Sequence, residues 1–450
     1  MKFAVQVAAA SPTLLRYDGA RPRPDFVPMS IPDAPAAAPA AEPIRSAPAR
    51  LGVYIHFPYC QKHCPYCDFA VAVRKQIPHE HYLSAIRTEL AAKAPLFAGS
   101  AAVSVYLGGG TPSLWQPDCI ASAIDAVLAA FPPAVDCPPE ITLECDPAGL
   151  SADTLHRLRR IGVNRLSIGA QSLQPRHLVQ LGRQHTPADI PLLVEQARAA
   201  GFANLSLDLM IGLIDQKKAE LDDDLRRLLE LRPEHVSLYQ LTIEPGTALA
   251  AAVRRGQTSA PTDEQQADAY DRVRELLDPE YQHYEISSFA RRPAKDRPDL
   301  DYRARHNRLY WTLGDYLGLG VSAHSFRRRP AGGGERFANV RGVESYLGIW
   351  GGSAPPARFS PSDAAAPGLA LYEHRDPEAL AREGLWLGLR ALTGLSRTDF
   401  AALHGYDPLL RHHAPIADLQ ARGLLAVEGD WLRLTRRGAL FADEVGAVFL

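Results

Sequence analysis

Gly52-Val-Tyr-Ile-His-Phe-Pro-Tyr-Cys60-Gln-Lys-His-Cys64-Pro-Tyr-Cys67-Asp-Phe69 is the stretch whose reading decides the rest. An apolar, β-branched run reads as a strand, and three thiols spaced C-x3-C-x2-C follow it in a tight loop. That spacing can place three thiolates on one iron–sulfur cluster. A fully cysteine-ligated [4Fe–4S] cube takes four thiolates, so a loop that supplies three leaves one iron open to a small-molecule ligand. Zinc is the rival, because thiolates suit it too, but a structural zinc site wants four protein ligands, with His63 as the candidate fourth. Three unrelated buried cysteines are the remaining reading.

Outward from the loop the chain alternates strand-like and helix-like runs. Strands are expected at 52–57, 103–107, 140–145, 164–168, 204–210 and 235–241, with amphipathic helices near 79–95, 116–130, 151–161, 187–201 and 219–230. Repeated β-then-α order implies a parallel sheet with right-handed crossovers. Such a sheet gathers its functional residues at the carboxyl ends of the strands. The unusual residues fall where that rule puts them. Gly108-Gly-Gly-Thr111 follows the second strand, Glu144 the third and Gln171 the fourth, Asp208 lies in the fifth, and Tyr239 to Gly246 close the sixth. Glycines after a strand let backbone groups approach a ligand. Glu144 and Asp208 serve as acceptors for ribose hydroxyls or an amino group, or else as caps and ion-pair partners. Arg183 is a site residue or a solvated charge before the 187–201 helix.

Residues 52–340 resemble the oxygen-independent coproporphyrinogen III oxidase-like family of the radical S-adenosylmethionine superfamily, and within it the heme-chaperone branch. The motifs that carry the likeness are Tyr54-Ile-His-Phe-Pro, the cysteine loop, Gly108-Gly-Gly-Thr-Pro-Ser, Asn164 to Ser172, Tyr239 to Thr247, His306-Asn-Arg-Leu-Tyr310-Trp311 and Gly318 to Ser325. The resemblance implies a partial (β/α)6 barrel and a [4Fe–4S] cluster on Cys60, Cys64 and Cys67. It also implies an S-adenosylmethionine site lined by Tyr54, Tyr66, Gly109, Gly110, Thr111, Glu144, Gln171, Arg183 and Asp208. In the family, the methionine amino and carboxylate groups chelate the open iron. Relatives that decarboxylate coproporphyrinogen III carry a further cysteine two positions after the last cluster cysteine, where this chain has Phe69. His306, Tyr310 and Trp311, with His324, are the heme candidates: an exposed neutral histidine beside aromatic rings suits an axial ligand and a stacking wall, and the alternative is that His306 caps a helix with Tyr310 and Trp311 as core residues. The likeness thus implies heme or porphyrin as ligand, recipient hemoproteins and an electron donor as partners, and oxidative decarboxylation of propionates as the alternative activity. Gly212-Leu-Ile-Asp-Gln-Lys217 replaces the usual Gly-Leu-Pro-Gly-Gln-Thr, so that turn is expected to take another shape. Ser288 also departs from the family pattern.

The remaining sequence is read as supporting structure. Residues 1–50 are expected to be a disordered Pro- and Ala-rich tail rather than a targeting segment, and 51–290 the core barrel. Residues 291–370 are read as an extension on the heme or substrate side and a linker, with 327–366 as loop apart from a short helix at 343–349. Residues 371–450 are expected to form a mostly helical, winged-helix-like cap with a hairpin turn at Glu428-Gly429-Asp430. A net charge of −2 in 450 residues leaves no electrostatic footprint for nucleic acid, even with Arg433, Arg436 and Arg437 in the cap. No apolar run is long enough for a membrane span. Six cysteines in such a chain point to a reducing cytoplasm rather than a disulfide scaffold. A homodimer stays open.

Overall fold

The computed structural model describes residues 49–450 except 136, 331, 353–358 and 364–365. The tail expected over 1–50 therefore lies, but for its last two residues, outside the described residues. β1 (Arg50–Phe57) runs into the cysteine loop, where β2 (Tyr59–Cys60) pairs in parallel with β3 (Ala72–Val73). β4 (Ala101–Gly109), β5 (Glu140–Cys145), β6 (Arg165–Gln171), β7 (Leu205–Ile211) and β8 (His235–Gln240) follow, each pairing in parallel with the strand before it in the order β1-β4-β5-β6-β7-β8. These are the six strands and five crossover helices expected, within a few residues at each end.

Each strand is divided by its pleat, since successive side chains point to opposite faces. Val53, Ile55 and Phe57 of β1, Val105 and Leu107 of β4, and Leu205 to Ile211 at alternate positions of β7 join one apolar core with the crossover helices. Each such side chain contributes roughly 1.5–3 kcal/mol relative to exposure. The other face carries Tyr54 and His56, Ser104 and Tyr106, Glu140 and Glu144, Arg165 and Ser167, Ser206 and Asp208, and His235 and Ser237. The barrel interior is polar.

The sheet is larger than expected. β9 (Tyr281–Glu285) and β10 (Ser288–Arg291) add a hairpin beside β8, and β11 (Asp315–Leu319) pairs in parallel with the other side of β1. β12 (His324–Arg328), β13 (Gly334–Asn339) and β14 (Leu369–Arg375) continue it antiparallel to make twelve strands. Residues 327–366, expected as loop, thus contain a strand buried along its whole length, and the helix Val343–Trp350 follows it. A buried charge cluster ties this extension to the first crossover helix. Lys93 donates to Glu89 and to Asn339 Oδ1 (2.6 Å), while Glu89 Oε2 accepts from Tyr346 Oη (2.6 Å) and from the Gly320 N–H (2.8 Å).

Beyond Pro377 the helices Pro377–Leu389, Arg397–His404 and His413–Ala421 pack with a three-stranded sheet of β15 (Leu395–Ser396), β16 (Leu425–Glu428) and β17 (Trp431–Leu434) around their own core. This is the helical unit with a hairpin that was expected, its turn at Gly429-Asp430. Arg433 pairs with Glu428 (2.8 Å), Arg436 with Asp271 (3.6 Å), and Arg437 donates to the Arg422 carbonyl (3.2 Å).

The turn at Leu213–Gln216 corrects one expectation. The Gln216 N–H donates to the Leu213 carbonyl (3.0 Å), and Asp215 adopts φ +55°. The left-handed position that a Pro-Gly turn gives to glycine is kept here and carried by aspartate, which tolerates it better than most residues. Asp215→Gly is expected to raise stability by about 0.5–1 kcal/mol, read as a higher urea midpoint.

Candidate functional site

The cysteine loop is pinned at both ends. The Ala72 N–H donates to the Pro58 carbonyl (2.7 Å), the Gly110 N–H to the Phe57 carbonyl (2.7 Å) and the Thr111 N–H to the Tyr59 carbonyl (2.9 Å). Glycine is required at this crossing. A Cβ on Gly110 would stand 2.7 Å from the Tyr59 carbonyl oxygen and 3.0 Å from Cys60 Sγ, and one on Gly109 (φ +111°) would stand 2.7 Å from the His56 ring. Thr111 Oγ1 lies 3.6 Å from Cys60 Sγ.

Of the residues expected for cluster and cofactor, all but Tyr54 line one cavity at the carboxyl ends of the strands. Tyr54 lies a layer deeper, its hydroxyl 3.0 Å from His56 Nδ1, and burial pushes the His56 imidazole down to about 4, so it stays neutral. Glu144 is fixed by two donors, the Tyr106 hydroxyl (2.9 Å) and the Gly109 N–H (3.0 Å). Burial raises its carboxyl to about 7 and the nearby Asp208 adds to this, while its two hydrogen bonds oppose it. Asp208 is also raised by burial and accepts from the Ser167 hydroxyl on both oxygens (3.1 and 3.0 Å). Gln171 takes φ +62° at a register shift that turns the end of β6 toward the cavity.

Beyond the residues expected for cluster and cofactor, Asp146 and Ser167 also line the cavity. Asp146 accepts from Arg183 Nη2 (2.6 Å) and holds the guanidinium beside the thiols; its place one residue past β5 was the available signal. Ser167 was hidden because a lone serine inside a strand carries no signature until the inward face is known.

His63 does not join the thiols: its Nε2–H donates to the Cys67 carbonyl (3.1 Å). Among the described residues, no three His, Cys, Asp or Glu side chains are grouped to hold a single metal ion. A zinc ion needs its ligand atoms about 2–2.3 Å from one point. A cube instead takes each thiolate on a different iron, and three thiols lining one cavity fit that demand.

Residues 54–228 match the Radical SAM superfamily and residues 376–441 the HemN C-terminal domain. The chain is 33% identical over 405 residues to the heme chaperone HemW of Escherichia coli (strain K12), covering 89% of this chain and 98% of that protein. It is 31% identical over 398 residues to the heme chaperone HemW of Bacillus subtilis (strain 168), covering 88% and 98%. The chain belongs to the HemW family of radical SAM proteins. Its fold is also that of the coproporphyrinogen III oxidase HemN from Escherichia coli, with a TM-score of 0.72 at 24% identity over 90% of this chain and 91% of that one.

In this HemW-family chain Phe69 lines the cavity alongside Cys67. The heme candidates are not brought together with it, and the exposure expected of His306 is corrected. His306 is buried in the helix Arg305–Trp311, which packs across the amino-terminal ends of the barrel strands below Tyr54 and Tyr106. The helix sits there because Glu140 accepts from the N–H groups of Arg305 (3.0 Å) and His306 (3.4 Å), and because Gly52 leaves room for Leu309. Both His306 nitrogens are engaged, Nδ1 with Ser104 Oγ (2.9 Å) and Nε2 with the Tyr310 hydroxyl (2.8 Å). Trp311 is buried with Leu313, Tyr316 and Phe326 against the cap helix, so it offers no open stacking face. His324, half-buried on β12, keeps a buried Nδ1 without a hydrogen-bond partner, and burial together with the Arg336 charge lowers it to about 4.

Among the described residues, no two cysteines form a disulfide, and no helix is long and apolar enough to cross a membrane.

Proposed function

We propose that this chain holds a [4Fe–4S] cluster on Cys60, Cys64 and Cys67, binds S-adenosylmethionine in the adjoining cavity, and binds heme for delivery to recipient hemoproteins in the cytoplasm. An electron donor serves the cluster. When bound, cluster and S-adenosylmethionine supply one-electron radical chemistry. The chain's own residues bind and orient: Glu144 and Asp208 accept from the cationic, hydroxyl-bearing ligand, and Gly109 to Thr111 bring the backbone against it. The observation that carries the chaperone reading is Phe69 in the cavity wall, where decarboxylating relatives carry a cysteine. The names of relatives that match nearly the whole chain support the same reading. Oxidative decarboxylation of coproporphyrinogen III is favoured by the likeness in fold alone.

The test is a heme titration of anaerobically purified, cluster-loaded protein, followed by the Soret band with iron and sulfide analysis of the same sample. Saturable, stoichiometric heme binding beside an intact cluster is expected. An intact cluster without heme binding overturns the reading. His324, with its unengaged nitrogen, is the ligand this reading favours, and His324→Ala is expected to weaken heme at least about tenfold.

The carboxyl of Glu144 makes binding of the cationic ligand depend on pH. A carboxyl raised to about 7 is protonated below that value and charged above it. Affinity for S-adenosylmethionine is expected to climb by up to about tenfold per unit as pH rises toward 7, then to level off. Glu144→Gln is expected to remove this dependence, as measured by equilibrium dialysis across pH 5.5–8.5.

A further inference from the structure

The His306-Asn-Arg-Leu-Tyr310-Trp311 motif leaves a question that heme contact does not answer, because its histidine is sealed inside the barrel. Ser104 and Tyr106 lie two residues apart on the inward face of β4. A hydrogen bond between the imidazole Nδ1 and Ser104 Oγ (2.9 Å) therefore fixes the ring one step below Tyr106. The two rings pack with centroids 5.2 Å apart and planes inclined by 33°, and Tyr54 flanks both at 6.1 and 6.3 Å. The Tyr310 hydroxyl holds the other side of the imidazole (2.8 Å). Above this layer the Tyr106 hydroxyl donates to Glu144 (2.9 Å).

We infer that His306 is a positioning residue of the cofactor cavity, holding the Tyr106 ring so that its hydroxyl stays on Glu144. The inference rests on the reading above that Glu144 touches S-adenosylmethionine. Histidine suits the task better than a charged residue. Burial pushes its imidazole down to about 3, so it engages one hydroxyl with a donor and the other with an acceptor while adding no charge beneath a buried carboxylate. Leucine or phenylalanine would fill the space but leave the Ser104 and Tyr310 hydroxyls unpaired in a buried layer.

The experiment is equilibrium binding of S-adenosylmethionine to cluster-loaded protein, as a double-mutant cycle with Glu144→Ala. His306→Ala and Tyr106→Phe are each expected to weaken binding about five- to tenfold in the parent and to add no further loss beside Glu144→Ala. Heme affinity of His306→Ala is expected to stay at the parent value. If His306→Ala does not fold, Ser104→Ala removes one anchor and keeps the ring, with an expected loss of about threefold that likewise vanishes beside Glu144→Ala. Equal losses in both backgrounds, no loss, or lost heme binding with intact S-adenosylmethionine binding overturns the inference and leaves the site reading standing. If Glu144→Ala alone leaves affinity at the parent value, the site reading falls, and this inference with it.

Discussion

Cys64→Ala is expected to strip the protein of its cluster, with iron and sulfide in the anaerobically purified protein falling below about a tenth of the parent level. The expectation follows from how little the loop can rearrange. The Cys67 N–H donates to the Cys64 carbonyl (3.1 Å), closing a turn between the last two thiols, and backbone bonds to Gly110 and Thr111 hold the strand that leads in. His63 is held by the Cys67 carbonyl, and Cys145 faces the apolar core from the outer side of β5. Cys119→Ala is the control. That thiol is buried against Glu80 (3.3 Å) on a crossover helix, and the variant is expected to keep full iron and sulfide. Stoichiometric iron retained in Cys64→Ala would remove this cysteine from the ligand set.

Arg336→Ala is expected to destabilise the fold by about 3–5 kcal/mol. The guanidinium on β13 is buried and pairs with Glu383 on the cap helix and with Glu373 on β14 (3.2 Å), and it lies over the Phe326 ring at 5.7 Å. Removing it leaves the Glu383 carboxylate, itself buried, without its main partner. Urea denaturation followed by circular dichroism is expected to show a lower midpoint, and limited proteolysis earlier cleavage near Pro377. The double variant Arg336→Met/Glu383→Leu is expected to recover most of the loss, because an apolar pair leaves no buried charge. An unchanged midpoint in Arg336→Ala would show that the cap docks without this pair.

The same ion pairs explain why part of the sheet could not be read in the sequence. The six parallel strands were legible because their outward residues form apolar runs and their polar residues fall at the carboxyl ends. β12 and β13 read His-Ser-Phe-Arg-Arg and Gly-Glu-Arg-Phe-Ala-Asn, which look like surface loop. They are interior strands because Glu335 and Arg336 find opposite charges within the fold, and pairing of that kind leaves no trace in local composition. The burial of His306 leaves no mark in the sequence for a similar reason. Two arginines flank it in sequence, and nothing nearby announces that Glu140, far off in the chain, draws the helix against the barrel. The cysteine loop and the glycines at the end of β4 are legible because chemistry and steric room both act over short spans. Tyr54 was expected in the cavity and lies beneath it, since a motif position does not say how deep a side chain reaches.

The division of each strand between an apolar outer face and a polar inner one means that two messages are written in alternate letters of the same words. A substitution alters one message and leaves its neighbour intact. Deleting a single residue inside β5 or β7 would instead shift the reading frame of everything after it, turning Leu143 or Leu207 into the cavity and Glu144 or Asp208 into the core. The inner chemistry of such a barrel is therefore open to revision letter by letter, while the length of each strand is held fixed.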